Sequence, residues 1–170
     1  GISFGYFFPF EGIDYTYDNS WPDEGITTDT NHKFFKINFN YYHEFKNNSA
    51  IMYEFGGAPR LGFLNLNFMK FKNKLDTSPF YGGGIGLISI DKDSTDFKYL
   101  DGAISLNLQV GILLYRTYDF NVFVRGKFVQ ILNEDFDRGI MIDIGAQWKR
   151  SQKSRNRGAI YKFPLLEAIL

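Results

Sequence analysis

The 170-residue chain contains no cysteine, so a disulfide framework and catalysis by a thiolate are both excluded. It has no excess of either charge, because 19 lysines and arginines offset 19 aspartates and glutamates. Without a basic surplus to neutralise phosphates, nucleic acid is not an expected partner. No run of 18 apolar residues occurs, and this excludes a transmembrane helix.

Two further absences concern targeting and cofactors. The chain begins directly on a strand-like pattern, so we expect any signal peptide to be missing from this chain. The phosphate-binding motif G-x-x-x-x-G-K-[ST] does not occur, and no helical pattern follows the glycines of residues 82–86. We therefore expect neither a cofactor nor a metal ion.

Aromatic residues are abundant, making up 19% of the chain. Such rings can fill a core, or form belts where a barrel crosses a membrane interface. Six of them fall in the predicted long or acidic connections, where aromatic side chains commonly contact a protein partner. These loop candidates are Tyr15, Tyr17, Trp21, Phe97, Tyr99 and Phe136.

The clearest pattern is the recurrence of apolar residues at every second position between residues 101 and 149. This alternation predicts strands with one apolar face and one mostly polar face. Each run holds for about 10 residues, which is the length that a tilted strand needs to cross a bilayer. The three runs are Ile104, Leu106, Leu108, Val110, Ile112 and Leu114; Phe120, Val122, Val124 and Phe128; and Ile140, Ile142, Ile144 and Trp148.

The same alternation predicts eight strands in all, and it fails in residues 12–31, which we interpret as a long exposed loop. The first, fifth and seventh connections are long or acidic, whereas the second, third, fourth and sixth are short. An even number of strands with long connections at one end is typical of outer-membrane barrels. The predicted strands cover about 2–10, 35–44, 51–56, 63–69, 81–88, 104–115, 120–132 and 140–150.

The polar strand face carries both signs of charge. An eight-stranded barrel is just wide enough for its interior side chains to fill it, and charges buried there must pair. Nearly balanced signs therefore predict a closed lumen network of ion pairs and not an open pore. The predicted network comprises Lys36, Glu44, Glu54, Arg125, Lys127, Asp143 and Lys149.

The apolar face would then meet lipid. The predicted lipid-facing residues are Phe39, Leu66, Ile85, Leu106, Leu108, Val110, Val122, Val124, Ile142 and Ile144. The alternation alone fits the opposite orientation equally well. In a soluble lipocalin-like barrel the apolar face would line a ligand cavity, formed by Ile104, Leu106, Leu108, Val122 and Ile142.

Three segments resemble small outer-membrane β-barrel proteins of the OmpA/OmpX type. Ser78-Pro-Phe-Tyr-Gly-Gly-Gly-Ile-Gly-Leu87 resembles their P-Y-x-G-G-G-x-G strand, and Leu64-Asn-Leu-Asn-Phe68 resembles the strand before it. Ile142-Asp-Ile-Gly-Ala-Gln-Trp148 resembles their final strand and assembly signal, although this chain continues for some twenty residues. The resemblance implies the outer membrane of a Gram-negative bacterium, and the composition is similar to that of Bacteroidota proteins.

The sequence therefore predicts an all-β, eight-stranded antiparallel up-and-down transmembrane barrel over residues 1–150, with a polar lumen and an apolar exterior. Residues 151–170 form a separate tail, which is basic at first and then apolar. The expected function is non-enzymatic, as a structural or accessory subunit of a larger outer-membrane complex. The expected partners are outer-membrane lipid and a protein that contacts the loops, the barrel wall or the tail.

A lipid-modifying enzyme is the second alternative, and it depends on histidine. His43 is expected at a membrane interface, whereas His32 lies beside the long predicted loop. Some membrane barrels use a histidine with nearby acids at the loop end. Here the acids within reach of His32 would be Asp14, Asp18, Asp23 or Asp29, but no spacing fixes such a site.

Overall fold

The computed structural model describes residues 1–18, 26–45, 47–59, 61–91, 100–132 and 137–148, which form ten β-strands. Within these ranges no helix is long and apolar enough to cross a bilayer. The strands are β1 (Ile2–Pro9), β2 (Ile13–Asp18), β3 (Ile26–Asn31), β4 (Phe34–Glu44), β5 (Ser49–Ala58), β6 (Leu61–Phe71), β7 (Ser78–Asp91), β8 (Leu100–Leu114), β9 (Phe120–Leu132) and β10 (Arg138–Trp148).

Eight of these strands close into an antiparallel barrel in the order β1-β10-β9-β8-β7-β6-β5-β4. Strand β1 closes it by pairing with β10 on one side and with β4 on the other. Closure leaves no strand edge with unpaired backbone groups, which is a requirement wherever no water can satisfy them. The predicted eight-stranded up-and-down barrel is confirmed.

The connections fall into two groups at opposite ends of the barrel. The turn end carries residues 45–48, 72–77 and 115–119, together with Gly1 and the last residue of β10, Trp148. The loop end is where the chain passes from β1 to β4, from β5 to β6, from β7 to β8 and from β9 to β10, and its described residues include 10–18, 26–33, 59 and 137. The third predicted connection, between β5 and β6, is two residues long, so it is short as predicted although it lies at the loop end.

The segment predicted as a long loop, residues 12–31, holds a further hairpin. Strands β2 and β3 pair with each other from Ile13 opposite Asn31 to Asp18 opposite Ile26, and they form a sheet of their own. The loop prediction was therefore wrong for these twelve residues. Their threonines, tyrosines and isoleucines favour extended backbone, but the segment shows no alternation of apolar and polar residues.

The barrel is apolar outside and polar inside, as predicted. Leu108 and Val110 on β8 are 68% and 63% exposed, whereas the residues between them, Asn107 and Gln109, are buried. All ten residues predicted to face lipid lie on the outer wall. Nine of them are exposed, and Val122 is partly buried against its neighbours.

Candidate functional site

The lumen is filled by three layers of side chains. An ionic layer lies near the middle, and an apolar seal closes each end. The loop-end seal consists of Phe7, Phe34, Leu61, Phe63, Ile88, Val129, Ile131 and Met141. The turn-end seal consists of Ala50, Met52, Met69, Phe71, Phe80, Leu113 and Phe123.

Strand register brings the ionic layer together. Across four adjacent strands, Lys36, Gly5, Asp143 and Arg125 lie directly opposite one another. Gly5 separates the lysine from the aspartate, and a β-carbon there would collide with the Asp143 carboxylate and with the backbone of Ile142. The glycine is therefore what allows Lys36 to reach across β1 to its partner.

Asp143 bridges two cations. One carboxylate oxygen pairs with the Lys36 ammonium. The other accepts hydrogen bonds from Arg125 Nε at 3.0 Å and from Arg125 Nη2 at 2.8 Å. Because all three side chains are at most 1% exposed, water contributes little to screening these pairs.

Glu54 reaches the same layer from β5 and also bridges two cations. Its Oε1 pairs with Arg125 Nη2, and its Oε2 lies 2.5 Å from Lys127 Nζ. Asn67 Nδ2 donates a further hydrogen bond of 2.5 Å to Oε2. The five described charges of this layer are thus three cations held by two shared carboxylates.

Arg125 also ties the ionic layer to the turn-end seal. Its Nη1 donates to Gln109 Oε1 at 3.2 Å and approaches Met52 Sδ at 3.3 Å. Its guanidinium lies 5.1 Å from the centre of the Phe123 ring. Met52 and Phe123 belong to the seal, so the arginine is fixed both by its carboxylate partners and by the apolar layer beneath it.

A second network, around Arg116, closes the turn end. Its Nη2 lies 2.5 Å from Glu44 Oε1, and its Nη1 donates to Ser78 Oγ at 3.1 Å and to the Asn73 carbonyl. Its guanidinium stacks 4.1 Å from the Phe71 ring. Arg116 therefore joins residues from all three hairpins of this end of the barrel.

The predicted lumen charges are divided between these two networks. Lys36, Glu54, Arg125, Lys127 and Asp143 meet in the ionic layer. Glu44 does not join them, because it is the last residue of β4 and lies about eight residues, or roughly 27 Å of strand, from Lys36. Lys149 lies outside the described residues.

Arg116 is the functional residue that the sequence reasoning missed, because it falls in a predicted turn and not on a strand. One signal could have identified it. Glu44 is an inward-facing carboxylate at the turn end, and burial there requires a cation at the same depth.

The predicted loop contacts cannot be placed as a surface. Tyr15 and Tyr17 lie on β2, whose side chains are outside the described set. Trp21, Phe97, Tyr99, Phe136 and the tail of residues 151–170 also lie outside the described residues. The partner predictions for these residues stay predictions.

The two histidines lie apart. His43 is exposed on the outer wall near the turn end, with its ring 4.9 Å from that of Phe45. His32 is exposed at the loop end next to Gly12. No group of three or more histidine, aspartate or glutamate side chains that could hold a metal ion occurs in the described part of the chain.

The geometry of the lumen favours rigidity and closure. Each of the five central charges is engaged in an ion pair, and apolar side chains fill the space above and below them. The described part of the lumen is therefore packed with paired charges and apolar side chains.

Among solved structures, the chain is similar to the N-terminal β-barrel domain of Pseudomonas aeruginosa OprF. The identity is 11% over 85% of this chain and 94% of that one, with a TM-score of 0.54. The fold is that of a small outer-membrane β-barrel. A second match, the attachment invasion locus protein Ail of Yersinia pestis, is 15% identical over 86% of this chain and 95% of that one, with a TM-score of 0.36. No protein-family model and no curated protein matches the sequence.

Proposed function

We propose that this protein resides in a bacterial outer membrane, has no enzyme activity, and serves as a structural or accessory subunit of a larger membrane complex. One observation carries the proposal: a closed barrel exposes apolar side chains all around its wall while it buries charge inside. A water-soluble protein rarely exposes contiguous apolar patches of more than a few hundred Å². The wall of this barrel is suited to the hydrocarbon of a bilayer instead.

The soluble ligand-binding alternative is not supported. Ile104, Leu106, Leu108 and Ile142, which would have lined its cavity, are exposed on the outer wall, and Val122 faces the same side. The lumen that would have held an apolar ligand contains the ionic layer.

The lipid-modifying enzyme is not favoured either, because His32 is exposed and the described residues hold no group of three or more histidine, aspartate or glutamate side chains. Asp23 lies outside the described residues, as do the side chains of Asp14, Asp18 and Asp29.

An accessory role is supported by the uneven composition of the outer wall. One sector, formed by β1, β4 and β5, is dominated by exposed aromatic rings. Phe39 and Phe55 stack with ring centres 5.2 Å apart, and Tyr6 meets Phe35 edge-on at 5.4 Å. The opposite sector, on β7 and β8, is almost entirely aliphatic. The aromatic sector consists of Phe4, Tyr6, Phe35, Phe39, Tyr41, Tyr53 and Phe55.

The depth of these rings matters for the proposal. Rings that only anchor a barrel in the membrane gather in belts at the two interfaces. In this sector they run along the whole length of β4, including its middle. Since aromatic side chains are enriched where proteins contact one another, we propose that a membrane-embedded partner protein covers this sector.

The proposal is tested in two steps. Alkaline extraction of membranes should leave the chain in the pellet, and its release into the soluble fraction would overturn membrane residence. A photocrosslinking residue at Phe39 or Phe55 should then yield a discrete protein adduct, whereas the same residue at Leu106 or Leu108 should not. Equal labelling of both sectors, or labelling by lipid alone, would contradict the accessory role.

A further inference from the structure

A recess lies on the outer wall of the barrel, mostly on its aliphatic side. It spans β5 to β8, is open to the surroundings and has a volume of about 360 Å³. The side chains that line it are almost all apolar, so its occupant in a membrane must be apolar as well. They are Tyr53, Leu64, Leu66, Ile85, Leu87 and Ile104, with Asn65 and Gly86 at its floor.

The wall changes character from this recess toward the turn end. Leu66 and Ile85 lie opposite each other in the recess, and the next outward pair is Phe68 opposite Gly83. Gly83 adds no side chain to the wall, and it lies between the side chains of Phe68 and Leu108. The pair after that is Lys70 opposite Tyr81, and the Tyr81 ring is exposed. We call the strip of wall from the recess through Phe68 and Gly83 to Lys70 and Tyr81 the column.

Three lysines follow one another where the column reaches the turn. Lys70 faces outward, and its ammonium donates to the Asn47 carbonyl at 2.9 Å. Lys72 and Lys74 are exposed in the turn itself. Lys70 is partly exposed, and Lys72 and Lys74 are the exposed lysine side chains among the described residues of the turn end, where Arg116 is buried. The nearest carboxylate in this turn, Asp76, instead accepts a hydrogen bond from Thr117 of the next hairpin.

We propose that this column is a binding site for an anionic phospholipid. The phosphate lies among Lys70, Lys72 and Lys74, next to the Tyr81 hydroxyl, and one acyl chain passes over Gly83 into the recess. Leu66 and Lys70 are four residues apart, about 13 Å along a strand. Because barrel strands tilt by about 35–45°, this corresponds to about 9–11 Å of depth, which lies within one leaflet, or half of a hydrocarbon core of about 30 Å. The inference rests on the membrane residence proposed above, and the recess meets the aromatic sector at Tyr53.

The arrangement favours a lipid over other occupants because a cationic turn is followed along the wall by an apolar recess. A phospholipid likewise has a charged head group followed by apolar acyl chains. A basic turn alone would attract any anion, and a recess alone would take any acyl chain. Together they discriminate by head group, since each lysine near an anionic lipid surface contributes about 1 kcal/mol, or roughly fivefold in binding.

The experiment uses the full chain in detergent micelles and counts bound phosphatidylglycerol and phosphatidylcholine by native mass spectrometry. Phosphatidylglycerol should be retained more tightly. The variant Lys72→Ala/Lys74→Ala should weaken its binding by roughly 25-fold and leave phosphatidylcholine unchanged. The matched control, Lys33→Ala/Arg138→Ala, removes two exposed cations from the loop end and should change neither.

A second pair of variants tests the recess. Leu66→Phe/Ile85→Phe should fill it and weaken the binding of both lipids at least threefold. Ile142→Phe/Ile144→Phe adds the same bulk on the far side of the wall and should have no effect. Equal affinity for the two lipids, or equal losses in variant and control, would refute the site. The inference also fails if the variants change the number of chains in the particle, because the occupant is then a second copy.

Insertion of each variant into phosphatidylcholine vesicles is measured by protease protection on the same preparation. A barrel that inserts but shows no preference for phosphatidylglycerol refutes the lipid site alone. A chain that does not insert refutes membrane residence.

Discussion

The two arginine networks of the lumen are built in opposite ways. In the ionic layer the shared groups are carboxylates, because Glu54 and Asp143 each hold two cations. At the turn end the shared group is the cation, because Arg116 binds Glu44 and several neutral acceptors. The ionic layer is also fully enclosed, whereas the Glu44 side chain remains 25% exposed.

This difference indicates that a buried network is destabilised most by the loss of a charge of the sign that it contains least. Removing a carboxylate from the ionic layer leaves three cations with one anion. Removing Lys36 or Lys127 leaves two cations with two anions, which is a balanced set. At the turn end Arg116 is the one described cation that contacts both Glu44 and the β6–β7 turn, so the loss of this cation should destabilise the turn-end network more than the loss of Glu44 does.

The largest effect is expected for Asp143→Asn, which has nearly the same shape but no charge. Because Lys36 and Arg125 then lose a buried carboxylate partner, the free energy of unfolding should fall by about 3–5 kcal/mol. The matched change Lys36→Met keeps the stem and removes the surplus charge, and it should cost less than about 1 kcal/mol. Urea unfolding from lipid vesicles, followed by tryptophan fluorescence, gives both values. A larger loss of unfolding free energy for Lys36→Met than for Asp143→Asn would contradict the view that the carboxylates are the limiting charges of the ionic layer.

A smaller effect is expected at the turn end. Arg116→Met removes hydrogen bonds to charged and neutral acceptors but leaves Glu44 partly in contact with water. The expected loss is about 1–3 kcal/mol in the same unfolding measurement. Glu44→Gln should cost less than about 1 kcal/mol, because the arginine keeps Ser78 and the Asn73 carbonyl. If the two substitutions are equally destabilising, Arg116 is not the shared group.

The smallest expected effect is a difference between the two networks in how salt changes the coupling energy of their ion pairs. Double-mutant cycles for Arg116 with Glu44, and for Arg125 with Asp143, give one coupling energy for each network. Raising the salt concentration from 0.1 M to 1 M shortens the screening length from about 10 Å to about 3 Å. It should weaken the partly exposed pair by a few tenths of a kcal/mol and leave the enclosed pair unchanged. Equal salt dependence would mean that water reaches the ionic layer.

Much of the fold could be predicted because it depends on local pattern. Alternation at Leu106, Leu108 and Val110 requires a strand with two unlike faces, and the length of that strand points to a bilayer. The β2–β3 hairpin was missed because alternation marks only strands with one face buried. Arg116 was missed because a turn residue gains its role from two other hairpins that are distant in sequence.

The sequence by itself determined the number of barrel strands and which residues share a face, since these follow from a repeat of two residues. It underestimated the lengths of β5, β6 and β7, which extend beyond the predicted 51–56, 63–69 and 81–88. It also determined that charges of both signs lie on one face. Only the tertiary structure decided which charges meet, because strand register and closure of β1 on β10 and β4 place Asp143 between Lys36 and Arg125. Register is a relation between strands far apart in the chain, and no pattern within one strand encodes it.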